Sequence, residues 1–132
     1  MESDEILRRL APLFAEMDKQ CMVTDHLIDK DQWRIYLTTM WSNLVMDPEN
    51  LGMTEADLED AYRVIEREAE NRLGGEDALV EAFRFLTTKD GERCIEKAKL
   101  RKSHKDMLLY FSSMMVDPER HKQYMEEIRD ST

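Results

Sequence analysis

Two stretches of this chain repeat one pattern, Trp41-Ser42-Asn43-Leu44-Val45-Met46-Asp47-Pro48-Glu49 and Phe111-Ser112-Ser113-Met114-Met115-Val116-Asp117-Pro118-Glu119. Ser, Asp, Pro and Glu coincide in register, and an aromatic followed by three consecutive apolar residues fills the rest. The pattern is a helix stop joined to a helix start. An apolar helix end runs into an Asp whose carboxylate can cap the next helix, and Pro holds φ near the helical value at a first-turn position whose amide would be unpaired anyway. Both Asp47 and Asp117 are therefore expected to be caps. Outside these nine residues the two halves diverge, Leu51-Gly52 standing against His121-Lys122. Shared capping chemistry accounts for the repeat better than duplication does.

Helical periodicity runs through the rest of the chain. Ser3 is placed to cap a helix bearing Ile6, Leu7, Leu10, Phe14 and Met17 on one stripe, and Pro12 inside it should kink the helix or start a second one. Residues 20–30 read as a connection. Asp31 is the expected cap of a helix whose Trp33, Tyr36, Leu37, Met40, Trp41, Leu44 and Val45 sweep about half the circumference, too wide a face for one neighbour. Thr54 with Asp57, flanked by Met53 and Leu58, has the form of a capping box with a hydrophobic staple, and Gly74-Gly75 ends the helix that follows.

A helix over residues 76–88 is expected next, with Leu79, Ala82, Phe83 and Leu86 inward, and Asp90-Gly91 reads as a turn. Residues 92–102 read as a short helix with Cys94, Ile95 and Ala98 inside. Ser103 with Asp106 is a second cap pair, opening a segment from Met107 to Val116 that is apolar around nearly its whole circumference. The last helix starts at Pro118 and carries His121, Tyr124, Met125 and Ile128 on one face. Six or seven helices and no strand predict an all-α fold, a single-domain bundle over residues 1–132 with antiparallel or orthogonal packing.

Chemistry-bearing motifs are absent from the sequence. Laying residues 47–58 over a calcium loop puts Leu51 at a ligand position and Leu58 where a bidentate Glu is required. His26, His104 and His121 form no metal-ligand pair, and Cys21 with His26 lacks an orienting third group. Glycines at 52, 74, 75 and 91 fit neither phosphate-binding fingerprint, so no catalytic residue, metal or cofactor is assigned.

Charge narrows the partners. The formal charge of −10 disfavours nucleic acid and suits a basic or neutral partner. An acidic N-terminal segment, no membrane-length apolar run and two isolated cysteines make the cytoplasm the expected compartment. Between Glu92 and Asp106, six Lys or Arg stand against three acids. Arg93, Lys97 and Arg101 would form a stripe on an unbroken helix, and pairing with the acidic helix over residues 55–70 is a plainer use for it than docking an anion or partner. The excess apolar surface of residues 33–45 and 107–116 points to a non-enzymatic contact domain, an adaptor, regulator or chaperone-like protein that forms a homodimer. Trp33, Tyr36, Trp41, Met107, Phe111 and Met114 are the candidate interface. A small-molecule pocket of Met and aromatic residues between those two helices is the alternative.

Overall fold

The computed structural model describes residues 1–130, apart from the side chains of Pro118, His121, Tyr124 and Ile128. Seven α-helices account for most of these residues: α1 Ser3–Gln20, α2 Lys30–Met46, α3 Leu58–Leu73, α4 Ala78–Leu86, α5 Lys89–Lys97, α6 Lys102–Met115 and α7 Pro118–Asp130. They pack into one all-α bundle. No described helix is long and apolar enough to cross a membrane.

The helix α2 lies at the centre and touches α1, α3, α4, α5 and α6. Its buried residues Trp33, Ile35, Leu37, Thr38, Trp41, Ser42 and Leu44 point in several directions, so the wide apolar face meets several neighbours within the chain. Asp29 caps it, accepting hydrogen bonds from the Asp31 and Gln32 amides at 3.0 and 3.1 Å. Asp31, the expected cap, sits in the first turn and pairs with Arg34. In α1, Ile6, Leu10, Phe14 and Met17 face inward as the periodicity requires. Pro12 starts no second helix, and α1 runs on through it; both it and Arg8, whose carbonyl loses its partner, are exposed, so water can satisfy that oxygen. Ser3 is the first helical residue and makes no cap bond, since Glu2 occupies the cap position.

Other local expectations are corrected. Between α1 and α2 the chain forms an antiparallel hairpin, β1 Met22–Thr24 and β2 Leu27–Ile28, turning through His26 at φ 76°. Asp90 and Gly91 belong to α5, not to a turn. Thr88 caps that helix by accepting from the Gly91 amide at 3.1 Å, and a Cβ on Gly91 would lie 1.9 Å from the Phe85 carbonyl oxygen. Glycine here permits α4 and α5 to meet closely. The helix α5 ends at Lys97, and Lys99 at φ 51° redirects the chain, leaving Ala98 exposed while Ile95 is buried and Cys94 half-buried. Arg101, not Ser103, stands at the cap position of α6.

The expected capping box is present: Asp57 accepts from the Thr54 amide at 2.8 Å, and Met53 and Leu58 are buried beside it. Asp57 also meets the Met1 ammonium at 3.0 Å. Burial works to raise its pKa, but the hydrogen bonds from Thr54 and from that ammonium prevail and hold it below the usual carboxylate value. The helix α3 stops before Gly74 as expected, and its Glu66 reaches across to α4, accepting from the Ala78 and Leu79 amides at 2.5 and 3.0 Å. That carboxylate does the capping that Asp77, at φ 53°, does not.

Arg72 ties α1, α2 and α3 together. Its guanidinium donates to Asp18 at 2.7 and 2.9 Å and lies over the rings of Phe14 and Trp33, while the Trp33 indole donates to the same Asp18 at 3.0 Å. The inward placement expected for His121, Tyr124 and Ile128 lies outside the described residues.

Candidate functional site

The helix α1 packs chiefly against α3 and only lightly against α2. The space left between α1 and α2 is an apolar groove of about 320 Å³. One complete stripe of α1, Leu13, Glu16, Met17 and Gln20, forms one wall. The other is a longer stripe of α2, Tyr36, Thr39, Met40, Asn43 and Leu44, continued by Asp47 just past the end of that helix, and Asn50 with Leu51 completes the lining. Both walls follow the three-and-four spacing of a single helix face. Leu13, Met17, Met40, Leu44 and Leu51 supply the apolar lining, and exposed Glu16, Gln20, Asn43, Asp47 and Asn50 form the rim.

A short 3-10 turn, Pro48–Leu51, carries Asn50 and Leu51. Gly52 ends it at φ 69°, and a Cβ there would lie 2.1 Å from the guanidinium of Arg9, which donates to the Leu51 carbonyl at 3.2 Å. Glycine is needed for the backbone angle, whereas the exposed Arg9 side chain could swing aside from a Cβ. Asp47, at φ −148° and ψ 75°, makes no side-chain cap bond, and the Asn50 amide donates to its backbone carbonyl instead at 3.3 Å, which corrects the expectation for this copy of the repeat. Asp117 does cap, accepting from the Glu119 amide at 3.0 Å and from Arg120 at 3.5 Å.

Of the sequence-derived interface residues, Trp33 and Trp41 are fully enclosed by the chain's own core, and Phe111 is buried. None of these three offers surface in this fold. For the two tryptophans the reason is the central position of α2, whose five neighbours take up the apolar excess that suggested a partner; Phe111 lies on the inward face of α6. Tyr36 is exposed on the groove, and Met107 and Met114 are half-buried on α6. Periodicity missed the outward residues of α6, Leu109 and Tyr110, which are 45 and 65 % exposed. The segment is apolar all round as read, but the chain covers only the face of Leu108, Phe111, Ser112 and Met115.

The basic stripe does not form. Arg93 and Lys97 are on α5, whereas Arg101 lies beyond the redirecting Lys99 at the start of α6. Arg93 pairs with Asp90 of its own helix, and among the described residues no ion pair joins this corner to α3.

No described group of His, Cys, Asp and Glu could hold a metal ion. Burial, followed by Asp29 and Asp18, pushes the Cys21 thiol up to about 11, and burial also raises that of Cys94. Both shifts favour the protonated thiol over the thiolate. No family model matches the chain, and comparison with curated proteins and with solved structures returned no significant match.

Proposed function

We propose that this is a non-enzymatic contact domain of the cytoplasm, acting by holding helical segments of proteins. The observation that carries the reading is the groove, an apolar trough with two intact helix faces as walls and a polar rim. Such a surface suits the apolar side of an amphipathic segment. The free thiols of Cys21 and Cys94 are compatible with a reducing compartment.

Self-association belongs to the same proposal, supported by the outward Leu109 and Tyr110 and the half-buried Met107 and Met114 on α6. Sedimentation velocity tests it. Wild-type protein should sediment as a dimer at micromolar concentration, and Leu109→Glu with Tyr110→Glu should give a folded monomer, since both residues are exposed in the single chain. A wild-type monomer throughout that range would remove the homodimer. The groove volume also suits a small apolar ligand. A compound that raises the melting temperature, in a chain that binds no peptide, would favour that second reading.

A further inference from the structure

We propose that the groove between α1 and α2 takes a cationic amphipathic helix of a partner protein. The inference rests on the contact-domain reading and adds the conformation and charge of the occupant. Conformation follows from the walls. Both are sides of α-helices, whose backbone amides and carbonyls are already bonded within the helix, so they have no edge with which to pair an extended peptide. An occupant must satisfy its own backbone, and a helix does so. Length agrees: from Tyr36 to Asp47, just past the end of the helix, the α2 wall rises about 16 Å at 1.5 Å per residue, roughly three turns of a docked helix. Three turns present apolar residues at i, i+3, i+4 and i+7, enough to cover Met17, Met40, Leu44 and Leu51.

Charge follows from the rim. The groove is lined by two carboxylates, Glu16 and Asp47, three side-chain amides and no Lys or Arg. Asp47 makes no cap bond, so its carboxylate remains available, and Glu16 is exposed. The surrounding chain carries −10 overall, which adds a long-range attraction for a basic segment. Lys and Arg at the edges of an amphipathic helix would lay their methylene stems along the apolar lining and place their charges at the rim.

The test uses fluorescence anisotropy with three synthetic labelled peptides of fourteen residues. The first is Leu and Lys at helical spacing, the second Leu and Glu at the same spacing, and the third the Leu and Lys residues rearranged to alternate. The wild-type chain should bind the first at least about tenfold tighter than either other. Glu16→Lys with Asp47→Lys should weaken the first peptide about tenfold and strengthen the second. Both positions are exposed, so folding should be retained, and far-ultraviolet circular dichroism would check it. As an independent block of the rim, Asn43→Arg should weaken the first peptide alone. Equal binding of both helical peptides would overturn the charge assignment while leaving the contact-domain reading intact. Preference for the alternating peptide would overturn the helical occupant. No binding by any peptide would overturn this inference, and if the wild-type chain were also monomeric the contact-domain reading would fail with it.

Discussion

The two copies of the repeated segment begin alike and end differently. In both, the aromatic is buried and the Ser hydroxyl donates back to the carbonyl four residues earlier, Ser42 to Thr38 at 2.8 Å and Ser112 to Leu108 at 2.6 Å. In both, a helix stops before Asp-Pro. After Pro118 a helix of thirteen residues follows, and Asp117 caps it. After Pro48 only a four-residue 3-10 turn follows, ended by Gly52, and Asp47 is left on the rim of the groove. One local sequence therefore yields a structural carboxylate in one place and an uncommitted one in the other. The difference is decided three residues beyond the match, where Gly52 permits a left-handed exit and His121-Lys122 does not invite one.

The shared half of the pattern should give the largest and most equal losses. Trp41→Ala and Phe111→Ala each empty a buried aromatic site, and each should cost about 3–5 kcal/mol in urea unfolding. A small loss at either position would break the structural equivalence of the two copies. Next come Ser42→Leu and Ser112→Leu, which force extra volume into fully packed positions and should each cost about 1–3 kcal/mol.

The diverged half should separate. Asp117→Ala should lower stability by about 1 kcal/mol, because a first-turn amide loses its acceptor, with Asp117→Asn costing less. Asp47→Ala should leave the urea midpoint unchanged, because no backbone amide depends on its side chain. Equal losses at 47 and 117 would mean that Asp47 is also a cap and would take away the basis for its role in the groove.

How legible this was depends on the range of the forces involved. The capping box at Thr54-Asp57, the stop before Gly74 and the inward stripe of α1 rest on contacts within one turn, and they read correctly. The missed features come from contacts between distant segments. Gly91 resembles a turn residue, yet it is fixed by the Phe85 carbonyl in the preceding helix, and Glu66 caps α4 from another helix. The left-handed Lys99 that splits the basic stripe has no glycine to announce it. The candidate site was half visible. Tyr36 and Met40 were placed correctly on α2, but periodicity cannot say that α1, not α6, forms the facing wall.

The most direct test of the central claim, that the α1–α2 groove is the binding surface, is a methyl nuclear magnetic resonance titration of the methionines with the helical Leu and Lys peptide. Met17 and Met40 line the groove, whereas Met53 and Met115 are buried elsewhere in the core. The account predicts saturable shifts at Met17 and Met40 with Met53 and Met115 unmoved, and loss of those shifts in the variant carrying Glu16→Lys and Asp47→Lys. Shifts confined to Met107 and Met114 on α6, or binding with no change at Met17 and Met40, would contradict it.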